Sequence, residues 1–141
     1  MFMKRPLYSS LLVLGVVLVF AAAPTYAGDK EKSGSAAPFV HVVIFHLKPD
    51  AGAEAAEGLI ADAHEMLAKI PTVREVCAGK PAPKTGIAKS DYEVGLLVRF
   101  DDLEGLKTYE KHPLHVGYVK KHGKNIQLDK IAVFDFIDQK K

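Results

Sequence analysis

The period of the apolar residues changes several times along the chain, and each change marks an element. Residues 39–48, FVHVVIFHLK, are β-branched and aromatic with almost no helix formers, which predicts a buried strand. Both of its faces are apolar, so cover is expected on both sides. Pro49-Asp50-Ala51-Gly52 ends it. Over residues 53–70, Leu59, Ile60, Ala63, Met66, Leu67 and Ile70 recur at three- and four-residue steps, the signature of an amphipathic helix, which Pro71 stops. Residues 73–80 read as a second, shorter strand and residues 81–91, PAPKTGIAKSD, as a turn-forming loop.

Strict alternation returns at residues 92–100, with Tyr92, Val94, Leu96, Val98 and Phe100 on one face of a third strand. Asp101-Asp102 then offers a helix N-cap, and residues 103–111 are helical. Pro113 interrupts, and a second helical stretch over residues 114–121 is closed by Gly123. Residues 126–137, centred on IAVFDFI, supply the last strand.

The order β-α-β-β-α-β predicts an α+β, ferredoxin-like subunit. One sheet face takes the helices. The other is apolar on the first strand and needs a partner, which a second copy pairing sheet to sheet would supply. A homodimeric α/β barrel is therefore expected.

Composition changes this picture mainly at the N-terminus. Lys4 and Arg5 precede an apolar run of 13 residues, 11–23, and Thr25-Tyr26-Ala27 follows. That pattern is a secretory signal, residues 1–27, with cleavage expected at Ala27/Gly28; the run falls short of the roughly 20 residues a membrane span needs. Export to the periplasm or the extracellular space is expected, with no stable membrane anchor after cleavage. Residues 28–38, GDKEKSGSAAP, read as a flexible tether before a domain at 39–138. Loss of Lys4 and Arg5 lowers the basic count from 19 to 17, equal to the 17 acidic residues, so charge gives no argument for nucleic acid as a partner. Lys120, Lys121, His122 and Lys124 read as a solvated helix end. The single cysteine, Cys77, allows no internal disulfide and reads as an ordinary strand thiol.

Chemistry has to come from the six histidines and their neighbours. Alternation puts His41 with Val43 and Phe45, and His46 with Val42 and Ile44, on opposite sheet faces, so they cannot share a metal within one subunit. His64 sits one step off the apolar stripe of the first helix and is expected to be exposed. His112 and His115 are three apart, but Pro113 holds His112 out of the helical conformation, and no third ligand is near. No metal is expected. Two readings of TYEKHPLHVGY, residues 108–118, stay open. In one, Tyr109 and His115 face an apolar pocket, the histidine removing a proton from an acidic carbon and the tyrosine hydrogen-bonding the resulting enolate. In the other, His-Pro is a helix breaker, His115 bonds a backbone carbonyl, and Tyr109 and Tyr118 are the rim of the core.

The segments VHVVIFHLK, IPTVREVCAGK, YEVGLLVRFDDLEGLKTY, HPLHVGYV and IAVFDF, in this order, resemble the stress-responsive A/B barrel (Dabb) domain. The resemblance implies a dimeric α+β barrel of ferredoxin-like subunits. It also implies a pocket. One branch, similar to plant olivetolic acid cyclase, closes a polyketide by an intramolecular aldol step without a cofactor. Its working tyrosine and second motif histidine fall on Tyr109 and His115, and a pocket histidine on His41; His112 and Tyr118 join them as expected pocket residues. Ala63 departs from the bulkier pocket-shaping residues of that branch. The function expected is binding of a small apolar ligand without a cofactor, the alternative a cofactor-independent lyase or cyclase using the Tyr–His pair.

Overall fold

The computed structural model describes residues 37–139. The expected secretory signal, residues 1–27, and residues 28–36 of the expected tether lie outside the described residues.

The elements run β1 Phe39–Phe45, α1 Ala55–Met66, β2 Val73–Gly79, β3 Val94–Phe100, α2 Leu103–Lys111, α3 Pro113–His122 and β4 Ala132–Ile137. Short 3-10 turns follow α1 (Leu67–Lys69) and α3 (Gly123–Asn125), and a third precedes β4 (Leu128–Lys130). The sheet has the order β2-β3-β1-β4 with every pair antiparallel. This is the ferredoxin-like arrangement that the order of elements predicts. Among the described residues no helix is long and apolar enough to cross a membrane.

Register explains which residues share a face. His41 lies opposite Val98, Val43 opposite Leu96 and Phe45 opposite Val94, and this set faces the helices. Val94, Leu96, Val98 and Phe100 are buried there against Leu59, Ala63 and Leu67 of the α1 segment and Leu106 of α2. The reverse face carries Val42 opposite Leu97 on one side and Phe134 on the other, with Phe136 opposite Val40. Among the described residues no helix covers that face. Phe134 and Phe136 stay 57% and 51% exposed, while Val40 is fully buried. Phe134 and Phe136 are large aromatic side chains facing water, in the position where the sequence asks for a partner.

Two boundaries differ from the expected ones for one reason. The first strand was expected to reach residue 48 and the last to begin at 126. Lys48 N–H instead donates to Asn125 O (2.8 Å) and Gln127 N–H to His46 O (2.8 Å), with Leu47 bridged to Ile126. The chain after β1 thus pairs locally with the chain after α3, and β4 begins only after the turn at Leu128–Lys130. The first helix also ends early, at Met66, tightening into a 3-10 turn before Ile70 becomes extended (ψ 126°) ahead of Pro71.

Candidate functional site

The break between α2 and α3 shapes the site. Asp102 caps α2, its carboxylate accepting from Gly105 N–H (2.8 Å). Eleven residues later Pro113 forbids continuation, and His112 is extended (φ −68°, ψ 138°). His112 Nδ1 accepts from Leu114 N–H (3.2 Å), which makes it the N-cap of α3, with Pro113 at the first helical position. Its side chain is therefore used at the hinge, and it is absent from the cavity wall where it was expected. His112 and His115 each use Nδ1 within the hinge, on Leu114 N–H and Glu110 O respectively.

The same hinge folds His115 back on α2. Its Nδ1–H donates to Glu110 O (3.0 Å), one of the carbonyls that the end of α2 leaves without a helical partner. That bond fixes the tautomer, so Nε2 keeps its lone pair. Burial lowers the His115 pKa, which favours the neutral, basic ring. The ring lies 4.4 Å from Tyr109, centre to centre, and His41 approaches Tyr109 edge-on at 6.2 Å. Tyr109 is 1% exposed, backed by Phe100 at 5.1 Å. Burial raises the Tyr109 pKa, so its hydroxyl stays protonated as a hydrogen-bond donor. The side-chain hydrogen bonds among the described residues include none from this hydroxyl, which is not enclosed without a partner in the way that Thr72 Oγ1 is.

These residues line a cavity of about 250 Å³ between the sheet and the hinge. Val43, Phe45, Leu96, Ile126, Ile131 and Val133 make its apolar wall. His41, Tyr109, His115 and Tyr118 are brought together in its lining, and His112 is not. The Tyr118 hydroxyl donates to Leu59 O (3.1 Å), so Tyr118 presents ring rather than hydroxyl. His41 Nδ1 bonds Asp135 Oδ1 across the β1–β4 pair (2.7 Å).

Sequence reasoning missed the far end of the cavity. His122, expected on a solvated helix end, is 5% exposed and lines the cavity. Its Nε2 lies 2.6 Å from Asp62 Oδ2 on α1, and the same oxygen accepts from Lys121 (2.6 Å). Lys121 foremost, then His122, hold the Asp62 carboxyl below the usual range against its burial. Helical spacing carried the signal: His115, Tyr118 and His122 follow one another at three and four residues, on one face of α3. Lys120 and Lys124 are exposed, as expected for a helix end. His64 is exposed, and His46, half-buried just past the end of β1, is not among the residues that line the cavity. Cys77 is also exposed there, opposite Leu97, and burial of the thiol with Glu75 beside it raises its pKa, the reverse of an activated nucleophile.

Fold and site together define a ferredoxin-like α+β domain with an apolar cavity on its helical side. The stress-responsive A/B barrel domain model matches residues 39–138, and the chain belongs to that family. Among solved structures, a Dabb family protein with a ferredoxin-like fold from Mesorhizobium loti is 24% identical, with TM-score 0.59 over 74% of this chain and 99% of that one. A dimeric ferredoxin-like protein from Thermobifida fusca is 17% identical, with TM-score 0.60 over 73% and 92%. The hydroxynitrile lyase of Passiflora edulis is 17% identical, with TM-score 0.60 over 75% and 97%. Comparison with curated proteins finds no match.

Proposed function

We propose that this protein is an exported homodimer that holds a small, largely apolar molecule in the cavity between its sheet and the α2–α3 hinge. The observation that carries this reading is the 250 Å³ cavity, walled mainly by apolar side chains, that Tyr109 and His115 line together. A concave, mostly apolar site with a few convergent polar groups is the usual form of a small-molecule pocket, and a ligand oxygen would give the Tyr109 hydroxyl an acceptor. Export rests on the N-terminal pattern of residues 1–27. Self-association rests on the uncovered aromatic sheet face and on the description of similar folds as dimeric.

Binding raises the melting temperature in proportion to ligand concentration over Kd. A thermal-shift screen of small apolar alcohols, aldehydes and ketones is expected to give hits. Leu96→Trp, which fills the wall beside Val43, is expected to abolish them while the sheet signal in circular dichroism persists. A screen without hits would sink the binding reading.

A second reading is favoured by one contact, the 4.4 Å approach of His115 to Tyr109. With Nδ1 on Glu110 O, Nε2 is the free base, and the Tyr109 O–H is a donor for an oxygen gaining or losing negative charge. Such a pair suits a cofactor-free lyase or aldol-type cyclase, and the Passiflora neighbour suggests a hydroxynitrile as the first probe. His115 would take the hydroxyl proton as the bond to the nitrile carbon breaks; the carbonyl forms, and cyanide leaves and is protonated. His115→Ala is expected to lower aldehyde release about a hundredfold or more in a protein that still folds. Equal rates in both proteins would end this reading.

A further inference from the structure

Three imidazoles line the cavity, and each gives one ring nitrogen to an oxygen outside it: His41 to Asp135, His115 to Glu110 O, His122 to Asp62. An oxygen acceptor demands a proton on the nitrogen it faces, so the other nitrogen of a neutral ring is an acceptor. For His122 the committed atom is Nε2, doubly secured because Lys121 keeps Asp62 ionised. Its Nδ1 makes no hydrogen bond among the described residues, and it is not enclosed without a partner in the way that Thr72 Oγ1 is, which leaves it open to a ligand. His122 stands seven residues from His115 on one face of α3, which sets the two about 10 Å apart along the helix axis. The wall beside them is apolar.

We propose that His122 is a ligand-binding residue, and that the cavity takes an uncharged molecule with an apolar body and a hydroxyl at each end. One hydroxyl meets Tyr109 and His115; the other donates to His122 Nδ1. Asp62 is a positioning residue, since it fixes the His122 tautomer and touches no ligand. This assignment rests on the binding reading above and adds to it the chemical class of the ligand. A carboxylate is disfavoured at the His122 end, because the Asp62 carboxyl, held ionised by Lys121, lies against the same ring. An aliphatic end is disfavoured too, because it leaves Nδ1 buried without a partner.

The test compares α,ω-alkanediols, from butanediol to octanediol, with the 1-alkanols of the same lengths, by calorimetric Kd on the protein and on His122→Phe. Diol affinity is expected to peak at one length while alkanol affinity rises steadily with chain length. On His122→Phe the best diol is expected to lose about tenfold relative to its alkanol, the loss of one buried hydrogen bond. Should that variant fold poorly, the wild-type protein gives a second reading: the ¹⁵N resonance of His122 Nδ1 is expected to move toward the hydrogen-bonded value with the diol and to stay in place with the alkanol. Equal losses for diol and alkanol, or an unmoved Nδ1 resonance in diol-saturated protein, overturn the assignment while leaving ligand binding in place. No binding by any alcohol overturns the assignment and the binding reading together.

Discussion

Replacing Phe100 with alanine is expected to cost about 3–5 kcal/mol of folding free energy, and to weaken ligand binding in whatever fraction stays folded. Phe100 is 0% exposed at the end of β3, where the sheet meets α2. Two contacts show how tightly it is enclosed. Its ring meets Tyr109 edge-on at 5.1 Å, and a Cβ built on Gly105 would lie 3.3 Å from the Phe100 Cβ. The helix approaches the strand that closely only because residue 105 is glycine, so it cannot move in to fill the space an alanine leaves. The residual cavity would open directly behind Tyr109. Its ring would then gain room to rotate, and the hydroxyl would lose its fixed place in the site. Denaturant unfolding at a matched protomer concentration reads the first effect as a lower midpoint at unchanged slope. Calorimetry with the best alcohol reads the second. A loss under about 1 kcal/mol would show that the α2–β3 junction can collapse, contrary to this packing account.

Most of this architecture was legible in the residues because burial in a two-layer domain is periodic. β3 alternates without exception, with Val94, Leu96, Val98 and Phe100 buried and the residues between them half-buried. Pro113 likewise forecasts the extended His112, since proline restricts its predecessor whatever the tertiary context. Non-local pairing was not legible. Nothing in residues 46–48 says that their backbone will turn from the sheet to Asn125 and Gln127. His122 was misplaced for a related reason. Set among Lys120, Lys121 and Lys124, it looks like one more cation at a helix end, and only Asp62, sixty residues earlier, draws it inward. Asp62 follows Leu59 by three residues on the buried side of α1, a polar position in an apolar stripe that was not singled out in the sequence. The role of His112 depended on three-dimensional geometry as well: a histidine before proline can line a pocket or cap the next helix, and here it caps.

Replacing both Phe134 and Phe136 with lysine is expected to convert the proposed dimer into a folded monomer. Register places Phe134 opposite Val42 and Phe136 opposite Val40, so both rings rise from the same, uncovered side of β4. That strand pairs only with β1, and the two rings are more than half exposed within one subunit. Their loss therefore removes little from the subunit's own core. In a sheet-to-sheet pair they are aromatic anchors, each worth about 2 kcal/mol or more, and a two-fold axis would bring four new lysines into one desolvated interface. Light scattering is expected to report half the native mass at micromolar protein, with sheet content retained. Leu103→Lys, a similarly exposed apolar position on α2, is expected to leave the dimer intact. A double variant that stays dimeric would rule out sheet-to-sheet pairing through this face. The monomer also separates two designs of the site. The cavity opens on the helical side of the sheet, where Val133 of β4 forms part of its wall, while Phe134 next to it points the other way. If one subunit completes the cavity, the monomer binds the same alcohols with the same preference for diols, and dimerisation contributes stability rather than ligand contacts.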